Sequence, residues 1–476
     1  MIPFIYGTRS VNQLVQLELL LNCSASKLSC LAHHNKAKRY FTAKRYRSML
    51  EYPIDKFLFL STIILSNLFN KYLRLKKHPN SVVCKKSSRL ERIISSCPSL
   101  FYYDISPYYY LDQHGQLQTI FQTFIRSIFV SFSSIKYARE VLALKDGGTV
   151  ALDWAVGSNR EKDYAPIILM HHGIFGDSNS EYIVFLVRNL LVEGYRPVVF
   201  VARGCGGLPL TSEVQYSAAR YHDIDEVTRH IQLKYPLTKI IGIGFSLGAG
   251  MMLKYMGSYG DTARLNAAIC VSPPWNFRVH SAVFGFWSFL LAIASKSFVL
   301  RNAMAVSRHT KKTLPMTAIM LSTSIQEIDS IFAELYGFDN AEKYYDATSP
   351  NTDADKIAFP TLVLSAADDP LCSIEGAPAY DTHIHPFLYG TKRDFAAAAG
   401  RPCSSEVSPV ELQTRSVTAD GLVSCAEYGP GLVQVTSRAG GHLAFPEGHF
   451  PVWTSWADRA IIEWIRAVLK DDISSS

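Results

Sequence analysis

Three residue types that cooperate in nucleophilic catalysis occur along the chain in a set order. Ser246 lies in the pentapeptide Gly-Phe-Ser-Leu-Gly at 244–248, the acidic pair Asp368-Asp369 follows it, and His442 comes last. A serine hydroxyl needs a base that accepts its proton, and the base needs a carboxylate that holds it in the right tautomer. The order therefore predicts a serine nucleophile served by a histidine and an aspartate.

The sequence around Ser246 predicts a strand, a sharp turn and a helix. Residues 238–243 form an apolar run that is typical of a buried strand, and residues 249–256 have a helical pattern. Gly244 and Gly248 lack the side chains that would clash in so tight a turn. Such a turn lifts the serine hydroxyl above the sheet and points the helix N-terminus at developing negative charge.

The acid and the base each have a competing candidate. We choose Asp369 as the acid because it directly precedes Pro370, whereas Asp368 is expected to serve a turn or a helix cap. His442 follows two glycines after a predicted strand, and it is our choice for the base. His449 lies in a polar turn and ranks below it.

An oxyanion in the transition state needs two backbone donors. The amide of Leu247, the residue after the nucleophile, is the first predicted donor. The loop at 171–176 follows an early strand and supplies the second. The amide of Ile174 is the first choice there and that of Phe175 the second.

Strand and helix patterns alternate through most of the chain, which predicts a mostly parallel central sheet with helices on both faces. Together with the turn at Ser246 and the order serine, acid, histidine, this pattern predicts an α/β-hydrolase fold. An Asp-Gly-Gly turn at 146–148 predicts a β-hairpin over 139–154. We expect one hydrolase domain over 98–472. Within it, residues 273–350 are predicted to form an inserted helical lid, and residues 373–430 a loop-rich insertion.

The first 73 residues differ in composition from the rest. Residues 1–56 are basic and acid-poor, and predict a disordered leader, with a transit peptide as the alternative. Residues 57–73 are apolar but shorter than the ~20 residues that span a bilayer comfortably. They predict a short membrane anchor or an interfacial helix, and a helix packed on the domain remains the third reading.

The overall composition excludes several classes of function. A net charge of +7 over 476 residues, concentrated near the N-terminus, does not indicate a nucleic-acid surface. The nine cysteines are scattered and show no zinc-type spacing, so we expect mostly free thiols, no metal and no cofactor. A disulfide among Cys372, Cys403 and Cys425 stays open.

Several separate motifs resemble one family. They are the segments at 172–180, 202–207, 244–248 and 440–443, together with 117–119, 146–148 and Asp153-Trp154. Their sequences are similar to those of the AB-hydrolase-4 family, whose animal members are the abhydrolase-domain proteins one, two and three. The resemblance covers about residues 100–470. It implies a membrane-anchored serine hydrolase that acts on ester lipids such as monoacylglycerols or phospholipids.

Two features depart from that family. The stretch between Cys372 and Pro430 is longer than usual, and the leader before residue 57 is long. The resemblance still favours a protein of the endoplasmic reticulum membrane, with a single membrane-spanning segment near its N-terminus.

Three functions are therefore compared. The first is a lipid ester hydrolase with the triad Ser246, Asp369 and His442, which would act at a membrane surface. The second is an acyltransferase that uses the same triad and passes the acyl group to an alcohol. The third is a binding protein on an inactive hydrolase scaffold, and the intact triad argues against it.

Overall fold

The computed structural model describes residues 61–62, 65, 77–106, 114–130, 135–157, 164–281, 285–309, 314–378, 422–448, 451–453 and 455–474. The predicted leader at 1–56 and most of the segment at 57–73 lie outside these residues, as does the middle of the predicted insertion, 379–421. Contacts group the chain into two units, Met1–Leu73 and Arg74–Ser476. All of the described strands belong to the second unit.

The strands of this unit are short and mostly buried. They are β1 (Lys77–Pro79), β2 (Ser81–Cys84), β3 (Tyr102–Asp104), β4 (Tyr137–Ala143), β5 (Thr149–Ala155), β6 (Ile167–His171), β7 (Arg196–Val201), β8 (Ile240–Phe245), β9 (Ala267–Val271), β10 (Thr361–Ala366), β11 (Leu422–Ser424) and β12 (Leu432–Ser437).

Ten of the described strands form one sheet in the order β11-β2-β12-β10-β9-β8-β6-β7-β5-β4. The pairs from β12 through β10, β9, β8 and β6 to β7 are all parallel. Every residue of β6, β8, β9 and β10 is buried. Because successive strand residues point to opposite faces, both faces of the central sheet are covered. The expected mostly parallel sheet is confirmed.

The helices are α1 (Ser88–Ser95), α2 (Gly115–Val130), α3 (Glu181–Val192), α4 (His222–Lys234), α5 (Leu247–Tyr259), α6 (Phe277–Ser281), α7 (Phe286–His309), α8 (Met316–Leu321), α9 (Ile325–Ala333), α10 (Ala341–Thr348) and α11 (Trp456–Ser474). Helices α1, α2, α3 and α11 pack together in one layer of contacts. Helices α4 and α5 pack against each other in a second one. The α/β-hydrolase fold of the sequence prediction is confirmed.

Helices α6 to α10 occupy the region that the sequence predicts as a lid. They follow β9 and precede β10, so they form an excursion between two neighbouring parallel strands. A separate apolar cluster, which includes Val299, Ile319, Ile328 and Phe332, holds α7, α8 and α9 together. The lid therefore has a small core of its own. The limits of the lid, 273–350, stay a prediction.

The sheet extends beyond the predicted start of the domain at residue 98. Strand β2 pairs antiparallel with β12 and parallel with β11. Both β2 and β11 are too short to be recognised by periodicity, because only the pairing partner shows that they are strands. Strand β11 lies near the end of the stretch predicted as a loop-rich insertion, 373–430. That part of the predicted insertion therefore belongs to the sheet.

The hairpin prediction is confirmed, since β4 and β5 pair antiparallel around Gly147, whose φ is +80°. Among the described cysteines, residues 84, 97, 205, 270 and 372 are free thiols. Of the predicted anchor, only residues 61–62 and 65 are described. Within the described part of the chain, no helix combines the length and the apolar character needed to cross a bilayer.

Arg203 ties the loop after β7 to the rest of the fold. Its guanidinium is buried and forms two hydrogen bonds with Asp223 of α4, at 2.7 and 2.8 Å. It also donates to Asp146 in the β4–β5 turn at 2.7 Å. The neighbouring amide of Ala202 donates to His172, which lies in the loop beside Ser246. The position of that loop therefore depends in part on a buried ion pair.

We predict that Arg203→Met lowers the free energy of unfolding by ~3–5 kcal/mol, because it leaves the buried Asp223 carboxylate without its partner. Urea denaturation at neutral pH measures the loss. The matched control is Arg278→Met, which removes a surface ion pair with Asp346 and should change stability little. Equal effects of the two substitutions would contradict the prediction.

Candidate active site

Ser246 lies at the turn between β8 and α5. Its backbone has φ 51° and ψ −120°, a strained conformation that the sequence pattern predicts. A Cβ at Gly244 would collide with the backbone of residues 248 and 249, and one at Gly248 with the carbonyl oxygens of His171 and His172. These glycines are therefore required by close backbone approach. The turn leaves the Ser246 side chain at the carboxyl end of the central sheet, where ligands bind in open α/β folds.

The structure brings Ser246, His442 and Asp369 into one line of hydrogen bonds. The Ser246 Oγ lies 2.9 Å from His442 Nε2. His442 Nδ1 lies 2.9 Å from Asp369 Oδ2 and 3.1 Å from Oδ1. Because a carboxylate only accepts, Nδ1 carries the proton and Nε2 presents its lone pair to the serine hydroxyl. This arrangement can transfer the hydroxyl proton to the imidazole.

The two adjacent aspartates have different partners. The Asp369 Oδ1 accepts hydrogen bonds from the amides of Leu371 and Cys372, both at 2.8 Å, which fixes the carboxylate that faces His442. The Asp368 Oδ1 accepts from the amides of Gly440 and Gly441, both at 2.9 Å. Asp368 thus holds the backbone of the loop that carries the histidine. Burial raises the pKa of Asp368 to about 7.

Helix α2 supplies a contact to the histidine that sequence reasoning missed. The Thr119 Oγ1 accepts a hydrogen bond from the His442 amide at 2.8 Å and donates to the Gly115 carbonyl at 2.8 Å. Gln118 of the same helix donates to Asp368 at 3.3 Å. Residues 117–119 were among the family-like motifs, but nothing in the sequence gave them a role.

The loop after β6 approaches Ser246 from the other side. The amide of Gly176 donates to the Gly173 carbonyl at 3.2 Å, which closes a turn with Ile174 and Phe175 in its centre. Phe175 has φ 52° and stacks on Phe298 of the lid, with ring centroids 4.5 Å apart.

Buried histidine His172 fixes this loop. Its Nε2 accepts from the Ala202 amide at 3.1 Å, so its Nδ1 carries the proton and donates to the Gly173 carbonyl at 2.7 Å. Burial lowers the pKa of His172 to about 4, which keeps the ring neutral.

The two predicted oxyanion donors border the cavity that contains Ser246. Leu247 is the first residue of α5, and the amide of a first helical residue has no partner within its helix. Ile174 lines the same cavity. Their positions are compatible with two amides directed at one oxygen. Their role, like that of the three side chains, stays a prediction.

The cavity around Ser246 has a volume of about 360 Å³. Its walls come from α2, α3, the lid and the loops that carry the three predicted catalytic residues. Most lining side chains are apolar or aromatic, among them Pro274, Phe277, Trp287, Leu291, Ile325 and Leu371. Such a cavity can hold a long apolar group next to the serine hydroxyl.

Two titratable side chains of the lid also reach this cavity, and the sequence analysis named neither. His280 is buried, and within the described part of the protein neither of its ring nitrogens has a hydrogen-bond partner. Burial lowers its pKa to about 4. Asp329 accepts a hydrogen bond from the Tyr345 hydroxyl at 2.9 Å, and burial raises its pKa to about 7.

Within the described residues, this site also holds a set of possible metal ligands. Ligand atoms of Asp369, Cys372 and His442 lie within 4.8 Å of one another. However, hydrogen bonds join Asp369 to His442 and His442 to Ser246, and burial raises the pKa of the Cys372 thiol well above its usual range. A metal binds the thiolate, so this donor set suits proton transfer better than metal binding.

Comparisons with known proteins agree with the fold. Residues 166–387 match a family model described as alpha/beta hydrolase fold. The chain is 29% identical over 275 residues to Protein abhd-3.2 of Caenorhabditis elegans, which covers 56% of this chain and 72% of that protein. It is 26% identical over 356 residues to Phospholipase ABHD3 of Mus musculus, covering 73% and 76%.

A more distant relative and a solved structure complete the comparison. Medium-chain fatty acid ethyl ester synthase/esterase 2 of Saccharomyces cerevisiae is 24% identical over 343 residues, covering 56% of this chain and 75% of that protein. An esterase of Pyrococcus furiosus aligns with a TM-score of 0.34 and 16% identity, covering 53% and 77%.

The family match and the parallel sheet with its strand–serine–helix turn define an α/β hydrolase. The relatives named as abhydrolase proteins agree with the prediction, made from the motifs, that the chain is a member of the AB-hydrolase-4 family. It is a carboxylic ester hydrolase by class.

We predict that Asp369→Asn lowers kcat by ~10⁴-fold, because the amide favours the wrong tautomer of His442. Asp368→Asn keeps an oxygen that accepts from the glycine amides, so it should retain most of the activity. Initial rates on a soluble short-chain ester compare the two. An inactive Asp368 variant beside an active Asp369 variant would reverse the assignment.

A second prediction concerns pH. Since the pKa of Asp329 is about 7, its carboxyl is neutral below that pH and ionises above it. An ionised carboxylate loses hydration when an apolar chain covers it, so we expect KM for long-chain esters to rise severalfold between about pH 6 and pH 8. Asp329→Asn should remove the rise. The control is kcat at saturating substrate, which the substitution should leave unchanged; a rise that persists in the variant would contradict the prediction.

Proposed function

We propose that this protein hydrolyses carboxylic esters of lipids, of the monoacylglycerol or phospholipid type. The observation that carries the proposal is a serine hydroxyl 2.9 Å from a buried histidine, inside a large cavity with mainly apolar walls. The relatives named phospholipase support the lipid class of substrate. They also support work at a membrane surface.

The proposed reaction begins with acyl transfer to the protein. Ser246 Oγ attacks the ester carbonyl carbon while His442 Nε2 accepts the hydroxyl proton. Asp369 keeps the imidazole oriented and stabilises its positive charge. The amides of Leu247 and Ile174 bind the carbonyl oxygen as it becomes negative, and one such donor contributes ~3 kcal/mol to transition-state stabilisation.

The second half of the reaction releases the acyl group. His442 gives its proton to the departing alcohol, which leaves an ester on Ser246. Water then enters, gives its proton to His442 Nε2 and attacks the acyl carbon. Collapse of this second intermediate frees the carboxylic acid and returns the proton to Ser246.

The polar groups of the lid suggest where the two halves of the substrate lie. His280 is neutral and has one ring nitrogen that can donate and one that can accept. A hydroxyl group on the alcohol part of the substrate can either donate to the accepting nitrogen or accept from the donating one. The apolar part of the wall is left for the acyl chain. A partly esterified glycerol satisfies both requirements.

The alternative function is acyl transfer to an alcohol through the same triad. A relative named as both an ethyl ester synthase and an esterase supports it. The first half-reaction is identical, and only the acceptor differs. Adding ethanol to the lipid assay separates the two: hydrolysis yields mainly free fatty acid, whereas a transferase yields mainly ethyl ester.

The experiment that tests the proposal combines covalent labelling with lipid turnover. We expect a fluorophosphonate probe to label the wild-type protein at Ser246 and lipid ester to be cleaved. Ser246→Ala should abolish labelling and lower turnover by up to ~10⁶-fold. Ser95→Ala is the matched control, because this serine is exposed at the end of α1 and does not line the cavity.

Two outcomes would contradict the proposal. Labelling that survives Ser246→Ala would show that the nucleophile is another residue. A wild-type protein that neither labels nor cleaves esters would favour the binding-protein alternative. A comparison of cell lipids between wild type and Ser246→Ala then identifies the chain length and head group.

A further inference from the structure

Helix α2 exposes an apolar strip to solvent. Leu117, Ile120, Phe124 and Ile128 have exposed fractions of 47, 47, 63 and 45%. Their spacing of three and four residues places them on one side of the helix. We call these four residues the α2 strip. The one charged residue of α2, Arg126, points inward and pairs with buried Asp458 at 3.0 Å, so the exposed side of the helix carries no charge.

Helix α7 of the lid exposes a second strip. Phe286, Phe289, Leu290 and Ile293 have exposed fractions of 58, 46, 39 and 42%. These four residues are the α7 strip. Residues 286–309 contain no aspartate or glutamate, and their charged residues are all basic: Lys296, Arg301 and Arg308. The helix therefore combines an exposed apolar end with positive charge further along.

Both helices border the cavity of Ser246. Thr119 and Thr123 of α2 line this cavity, and so do Trp287 and Leu291 of α7. Thr123 is itself exposed, so the cavity reaches the surface beside the α2 strip. The two strips thus lie on helices that form walls of the same cavity, which opens at the carboxyl end of the sheet.

An exposed tryptophan and an arginine lie next to α2. Trp453 is 45% exposed and packs against Phe129 of α2, with ring centroids 5.2 Å apart. The guanidinium of Arg188 lies 5.3 Å from the Trp453 ring centroid. Tryptophan and basic side chains are enriched where a protein meets the headgroup region of a bilayer.

From these observations we propose that the α2 strip and the α7 strip dock the protein on a phospholipid bilayer, with the cavity opening towards the lipid. Single exposed apolar residues are ordinary, but two strips of four on helices that border one cavity are a surface of the kind that marks an interaction site. Basic residues on α7 complement anionic headgroups. The inference rests on the proposed lipid substrate, because docking lets the acyl chain enter the cavity without crossing water.

Tryptophan substitutions test the docking face in the full-length chain. We use Ile120→Trp and Ile293→Trp, each in a Ser246→Ala background so that the lipid is not consumed. The control is Leu237→Trp, at a residue that is 80% exposed and precedes the amino end of β8, at the opposite end of the sheet from Ser246. Vesicles contain phosphatidylcholine with a minority of phosphatidylserine.

The introduced tryptophans report contact with the bilayer directly, whatever else holds the protein on the vesicle. We expect the added emission of positions 120 and 293 to shift to shorter wavelength when vesicles are added. The emission of position 237 should not shift. Unshifted emission at positions 120 and 293 on vesicle-bound protein would overturn the proposal.

Charged substitutions give the functional readout. The double substitution Ile120→Glu/Phe124→Glu should raise the apparent KM for a vesicle-borne ester at least ~tenfold, since it places charge where the bilayer is expected. Hydrolysis of a soluble short-chain ester should be unchanged, which shows that the variant is folded. The matched control is Leu233→Glu/Leu237→Glu. An unchanged KM in the first variant would count against docking.

The same assays separate this inference from the proposed function. If the fluorophosphonate probe fails to label Ser246 while the tryptophans still shift, the docking face stands and the hydrolase assignment fails. If labelling and lipid turnover are intact but the tryptophans do not shift, only the docking face is wrong. A dimer that dissociates on Ile120→Glu/Phe124→Glu would instead make this surface an interface between two copies, and would overturn the proposal.

Discussion

The hydrogen bond between Ser246 and His442 depends on how two adjacent carboxylates hold one loop. Asp369 binds the imidazole of His442. Asp368 binds the backbone amides of Gly440 and Gly441, the two residues before His442. Both aspartates follow β10, and the histidine loop follows β12, its parallel neighbour. The carboxyl ends of parallel neighbours lie at the same edge of the sheet. The short segment after β10 can therefore fix both the side chain of His442 and the backbone of its loop.

Elements outside the alternating strand–helix series complete this support. Helix α2 precedes the first long strand, yet Thr119 binds the amide of His442 and Gln118 binds Asp368. The loop after β6 is held in turn by buried His172. The histidine loop, the serine turn and the loop after β6 are thus each held by a different part of the chain.

The lid gives the site its chemical character. It covers the serine with aromatic and aliphatic side chains but also brings His280 and Asp329 to the cavity wall. Burial moves the pKa of these two groups in opposite directions, and in both cases it favours the neutral form. A wall of neutral groups can accept an apolar chain and still offer a few hydrogen bonds. The exposed sides of α2 and α7 are apolar as well.

The sequence by itself determined the class of fold and the candidate catalytic residues, because their signals are local. Apolar runs predicted the central strands, and the two glycines around Ser246 predicted the turn, although β8 ends at Phe245 and α5 begins at Leu247 rather than at 249. Pro370 pointed to Asp369 as the residue that faces His442, and the two side chains do pair.

Tertiary structure decided what local patterns do not contain. Strands β2 and β11 have only four and three residues, and pairing alone makes them strands. Thr119 and His442 are 323 residues apart, and nothing in either segment indicates the other. His280 and Asp329 lie in ordinary helical sequence, and the packing of the lid turns them to the cavity. Such contacts arise only when distant segments fold together, so a single sequence read along its length does not contain them.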